Sequence, residues 1–222
     1  MIDLDRDGEV FVLRMSAGEN RFHPDFVAAW NAALDEVEAA PGPKALVTTG
    51  SGKFYSNGLD LDWMMSEGRD QASAYLESVL AVLGRVLVFP AITVSAMNGH
   101  AFGAGAQLAL AHDVRVMRTE RGFFCMPEID MRAPLHPGMT SIIQARLPRQ
   151  TAHEVIVMGT RYGAERALEQ RIVDYALPEA EVLPRAVAIG TELAGKADPV
   201  MKTLKTGLHR DVLEALRAKF EI

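Results

Sequence analysis

The chain has 222 residues, 49% of them hydrophobic and 23% charged, which is enough apolar material for one globular domain and too much for a disordered chain. A net charge of -6, with no run of Lys or Arg, leaves no electrostatic footprint for nucleic acid or for an anionic membrane surface. The single cysteine, Cys125, excludes an internal disulfide and a cysteine-rich metal site, and reads as a small core residue in a reducing compartment.

Residues 1–15 (MIDLDRDGEVFVLRM) alternate like two strands around an Asp7-Gly8 turn. They lack the charged n-region and long apolar run of a signal peptide, and no segment approaches the ~20 apolar residues that cross a bilayer. A soluble, cytoplasmic protein is expected. After a loop through Asn20 and Arg21, Phe26, Val27, Trp30, Leu34 and Val37 repeat at helical spacing until Pro41-Gly42-Pro43 ends the pattern. Residues 45–49 form an apolar strand, and a loop of small residues through Gly58 leads into LDLDWMM. A long amphipathic helix carrying Tyr75, Leu76, Val79, Leu83 and Val86 stops at Pro90.

A second unit of the same kind follows. Residues 91–97 (AITVSAM) read as a buried strand, and Gly99, Gly103 and Gly105 turn the backbone into an apolar helix over 106–112. Such a turn aims unpaired amides and the positive end of a helix at one spot, which suits a small anion or a developing oxyanion. His112 beside Asp113 fits a helix C-terminus that gains from a cation or a cap. Beyond it, helical patterns cover 137–147, 150–158, 163–170, 179–196 and 199–220. Strands thus crowd the first two thirds and helices the last, an α/β core with a helical tail.

Most site signals fail on spacing. Gly50-Ser51-Gly52-Lys53 lacks both the earlier glycine and the following Ser/Thr of a phosphate loop, and Leu108 stands where a dinucleotide fingerprint needs its third glycine. The six histidines are scattered without metal-ligand spacing, and no GxSxG elbow supplies a nucleophile. Glu128 differs, because Phe123, Phe124, Cys125, Met126, Pro127 and Ile129 surround it. It either points to water from a strand end, or points inward with a raised pKa that suits taking and returning a proton. Asp130 reads as structural, paired with Arg132.

With these pieces in place, the chain resembles the crotonase superfamily, the enoyl-CoA hydratase and isomerase family, over nearly its whole length. Residues 53–61 (KFYSNGLDL) are similar to its first oxyanion segment, 98–113 (NGHAFGAGAQLALAHD) to its second, and 126–135 (MPEIDMRAPL) to its catalytic segment. Residues 159–178 are similar to the helix and turn that follow the core. The resemblance implies a spiral of ββα units over 1–158 and a helical C-terminal region over 159–222 that packs on the core or a neighbour, in trimers or hexamers.

It also implies that the Leu59 amide after Gly58 and the Ala104 amide after Gly103 form an oxyanion hole for a thioester carbonyl. Hydratases of the family use two glutamates, and here the first position is Gln107 while the second is Glu128. One carboxylate suffices for a 1,3 proton shift, and this pattern, with GLDL, is similar to the Δ3,Δ2-enoyl-CoA isomerase branch. Ser56, Asn57, Asp60 and Leu61 would line the pantetheine and acyl entry, with Arg21 near the CoA phosphates and Trp63, Met64 and Met65 along the acyl chain. Gly58, Gly103, Gln107 and Pro127 complete the substrate-binding set. The expected partner is an acyl-CoA thioester, with no cofactor beyond the CoA of the substrate and no metal. The competing readings are a hydratase, lyase or hydrolase of acyl-CoA, and a scaffold that keeps the fold without chemistry.

Overall fold

The computed structural model describes residues 1–220. It opens with a hairpin, β1 (Ile2–Asp7) and β2 (Val10–Met15), followed by α1 (Pro24–Ala39), whose first turn is capped by the His23 side chain. Three turns of a spiral follow. The first is β3 (Ala45–Gly50), β4 (Phe54–Ser56), a short α2 (Leu61–Met65) and the long α3 (Ala72–Leu87). The second is β5 (Ile92–Met97), β6 (His100–Phe102) and α4 (Ala104–Ala111). The third is β7 (Val114–Arg118), β8 (Phe124–Cys125) and the single turn α5 (Glu128–Met131). Then come α6 (Pro137–Arg146), α7 (Arg149–Met158), α8 (Ala164–Glu169), β9 (Tyr175–Leu177), α9 (Glu179–Leu193), α10 (Pro199–Leu208) and α11 (Arg210–Ala215).

Each turn gives one strand to each of two sheets. The larger sheet runs β1-β2-β3-β5-β7-β9 and is parallel except for the opening hairpin, and the smaller is β4-β6-β8. The inner strands β3 and β5 are buried along nearly their whole length because both faces are covered, whereas the edge strand β1 is polar and largely exposed. Phe11, Leu13 and Leu46 face the core built with α1, α3 and α4, while the alternating Val10, Val12, Ala45 and Val47 face α9 through Val182, Ala186 and Ile189. The expected α/β spiral is thus present. The short strands of the smaller sheet carry too few residues to show a period, and β9 adds an edge strand within a stretch that reads as helical.

Two local readings need correction. His112 does stand at the C-cap of α4, but as a cap and not as a cation: it is fully buried, and burial pushes its pKa down to about 4. Its Nδ1–H donates to Leu108 O at 2.7 Å, so Nε2 accepts from the Thr48 hydroxyl at 2.9 Å, and that hydroxyl oxygen lies 2.8 Å from the Tyr55 hydroxyl. Asp113 pairs instead with the buried Lys205 at 2.7 Å. Asp130 makes no ion pair with Arg132, which ends α5 in the left-handed region at φ 54° and points to solvent.

Candidate active site

The smaller sheet positions the site. Its three strands are parallel neighbours, so their carboxyl ends lie along one edge, and the chain leaves that edge at Ser56, Phe102 and Cys125. Leu59, Ala104 and Glu128 follow within three residues of those exits, and all three line one cavity of about 410 Å³. Three segments far apart in sequence meet there because strand pairing puts their exits side by side.

The first two exits are pressed together. Gly58 has φ +84°, and a Cβ there would stand 2.8 Å from Phe102 O and 3.1 Å from the Ala104 nitrogen, so only glycine fits. Gly103 has φ +49° and starts α4, leaving the Ala104 N–H free at the helix N-terminus. Neither the Leu59 nor the Ala104 amide donates to another described residue. Two unspent donors on one cavity wall, one of them at the positive end of a helix, suit an oxygen that gains negative charge.

Glu128 points inward. Its Oε1 lies 3.5 Å from where a Gly103 Cβ would be, and its Oε2 is buried with no hydrogen-bond partner. Desolvation holds its carboxyl above the ordinary glutamate range, partly offset by its own backbone N–H. An ionisable group left unpaired against apolar neighbours costs stability, and such sites are where proton chemistry is found.

Gln107 is fully buried behind the wall rather than on it. Its Nε2 donates to Met139 O at 3.2 Å, tying α4 to α6, and its Oε1 has no partner. Ser56, Gly58 and Asp60 likewise shape the wall without lining it. The Ser56 hydroxyl donates to Asn20 O and accepts from Gly58 N–H, while Asp60 Oδ1 caps α2 and its N–H donates to the Tyr75 hydroxyl. Arg21, Asn57, Leu61, Met64, Gly103 and Pro127 do reach the cavity. Arg21 is already engaged by Glu19 at 2.7 Å and Asp62 at 2.5 Å, so its charge at the mouth is largely neutralised. Trp63 turns away to pack between His23 and Tyr75, and Met65 is 68% exposed.

Further lining comes from Leu76, Phe102, His136, Met139 and Phe220. Leu76 and Met139 carry an ordinary core signal in the sequence, whereas Phe220 carries none, since only the fold brings the chain's end to this wall. Among the described residues no group of three or more His, Cys, Asp or Glu could hold a metal ion. Among the described residues, too, no helix is long and apolar enough to cross a membrane.

Comparison with known proteins shows the family. The family model described as enoyl-CoA hydratase/isomerase matches residues 6–222. The chain belongs to the enoyl-CoA hydratase/isomerase family. It is 34% identical over 206 residues to enoyl-CoA delta isomerase 2, peroxisomal, of Arabidopsis thaliana, covering 88% of this chain and 86% of that one. Enoyl-CoA delta isomerase 3 of the same plant is 32% identical over 222 residues, covering 96% and 93%. Among solved structures, the apo form of an enoyl-CoA isomerase from Mycobacterium tuberculosis superposes with a TM-score of 0.87 at 26% identity, covering 98% and 95%. These enoyl-CoA enzymes share the crotonase fold.

Proposed function

We propose that this family member is an enoyl-CoA isomerase that moves a 3-enoyl-CoA double bond to the 2-position. The thioester oxygen accepts from the Leu59 and Ala104 amides, and the Glu128 carboxylate takes a proton from C2. The electron pair passes through the dienolate, whose oxygen stays on the two amides, and Glu128 returns the proton to C4. Each pre-aimed donor supplies on the order of 3 kcal/mol as the charge develops. Desolvation brings the Glu128 pKa closer to working pH, which suits a group that is base and then acid.

The observation that carries this reading is the solitary buried carboxylate, since Asp62, the cavity's other one, is exposed and paired with Arg21. Glu128 lines the cavity and its buried Oε2 has no hydrogen-bond partner, while Gln107 stays off the wall with its Nε2 donating to Met139 O. An amide cannot exchange protons with water as a second carboxylate would, so water addition lacks its partner. Names among the relatives support the same choice, since three are delta isomerases. CoA enters as part of the substrate, and a proton shift calls for no other cofactor.

Trimers or hexamers are in keeping with the exposed apolar stripe of α10, where Val200, Leu204 and Leu208 are 60%, 68% and 76% exposed. The test of function offers the enzyme a 3-enoyl-CoA and, separately, a 2-enoyl-CoA. Formation of the conjugated thioester from the first without hydration of the second is expected. Fast hydration with no isomerisation would replace this reading with the hydratase, and the absence of any acyl-CoA binding would favour a scaffold.

A further inference from the structure

Part of the cavity lining comes from far along the chain, at Phe220. Phe220 stands on the same cavity as Glu128, Leu59 and Ala104. Its ring meets the His136 imidazole nearly edge to face, with centroids 5.2 Å apart. The two imidazole nitrogens are both committed: Nδ1 accepts from Gly138 N–H at 2.9 Å as the cap of α6, so Nε2 carries the proton and donates to Ala218 O at 3.0 Å. Behind this contact Leu216 presses on α6, where a Cβ on Gly138 would stand 2.6 Å from the Leu216 Cα. The arm bearing Phe220 is therefore seated against α6 by backbone contact, a hydrogen bond and a ring pair.

Arg21, Asn57 and Asp62 share the cavity, and the Asp62 side chain is 86% exposed, which marks the side open to water. A CoA moiety with its phosphates and amides must stay on that side, because burying them unpaired is costly. A hydrocarbon tail starting from the two amides is left with the apolar lining, to which Leu76, Leu135, Met139 and Phe220 contribute, and of these Phe220 has the largest side chain.

We propose that Phe220 is a specificity-determining residue that sets the length of acyl chain this cavity accepts. The inference rests on the acyl-CoA reading above and adds the site's length limit. Each methylene that finds apolar cover improves binding about fourfold, and one forced against a seated ring gains nothing and strains the wall. Phe220 has neither an exchangeable proton nor a hydrogen-bond donor in its side chain, so a change there acts on the depth of the cavity rather than on the groups that do the chemistry.

The experiment measures binding of saturated straight-chain acyl-CoAs of increasing length to the wild type, Phe220→Ala, Phe220→Leu and Phe220→Trp. Saturated thioesters cannot isomerise, so the readout does not depend on which reaction the site performs. Phe220→Ala should move the tightest-binding length upward and raise affinity for the longer members by roughly tenfold, as one or two more methylenes find cover. Phe220→Leu should move it less, and Phe220→Trp should move it toward shorter chains. The Leu and Trp variants keep an apolar side chain against His136, so the profile remains readable if the Ala variant folds poorly. Identical length profiles in all the folded variants would overturn the proposal while leaving the enzyme reading intact. A wild type that binds no acyl-CoA of any length would overturn both.

Discussion

Gly58 and Ala104 lie in direct contact: a carbon added to Gly58 would reach 3.1 Å from the Ala104 nitrogen and 2.8 Å from Phe102 O. The two amide-bearing turns therefore fix each other's position, and the distance between the donors depends on that missing side chain. Gly58→Ala should separate the turns and lower kcat/KM by about 10²-fold or more, the scale of losing one oxyanion donor. Gly103→Ala gives a contrast, since a Cβ there meets Glu128 Oε1 at 3.5 Å, an ordinary contact, and only the positive φ opposes it. Steady-state kinetics on both variants should show the larger loss at Gly58.

Gln107→Glu separates wall support from chemistry. The amide N–H that now serves Met139 O would become a carboxylate oxygen facing a carbonyl oxygen, inside a fully buried pocket. Stability should fall by ~1–3 kcal/mol at neutral pH and recover as the new acid protonates. Hydration of a 2-enoyl-CoA should not appear, because position 107 is off the cavity wall. Denaturant melts at two pH values, with a hydration assay, check both statements.

The pH dependence of Glu128 has a definite sign. Its folded pKa lies above the ordinary glutamate value of 4.5, so the stability that goes with its neutral form is complete below that value and is lost as pH rises through the raised one. Glu128→Gln should therefore melt higher than wild type at neutral pH and lose that advantage in acid. The acid limb of kcat/KM should sit above the ordinary glutamate range, since the base must be ionised in the free enzyme.

His112 works in the opposite direction. Its folded pKa of about 4 lies below the ordinary 6.5, so the stability it lends is present above 6.5 and drains away as pH falls toward 4. Thr48→Val should expose the network that keeps it neutral, leaving the Tyr55 hydroxyl and His112 Nε2 buried without each other's bridge. The loss should be ~1–3 kcal/mol per orphaned group, measured by chemical denaturation.

How much of this was legible in the sequence depended on how local the cause was. Glu128 stood out because a carboxylate after Met126-Pro127 among phenylalanines needs a reason, and the glycine turns announced themselves through residue type. Strands β3 and β5 were visible as apolar runs bounded by turn residues. The smaller sheet was not, because strands of two or three residues show no period, yet that sheet brings Leu59, Ala104 and Glu128 together. Side-chain direction was equally hidden: Gln107 and Met64 sit on comparable apolar stretches, and only tertiary packing turns one to Met139 O and the other to the cavity. His112 left cap and cation open because its charge follows from burial, which neighbours in sequence do not reveal.

The central claim is that one carboxylate moves the proton while two amides hold the oxygen, and Glu128→Gln tests it most directly. Isomerisation of a 3-enoyl-CoA and binding of a saturated acyl-CoA should be measured on the same preparation. A loss of about 10²–10⁴-fold in turnover with binding retained is the predicted result. Turnover within a few-fold of wild type would contradict the account.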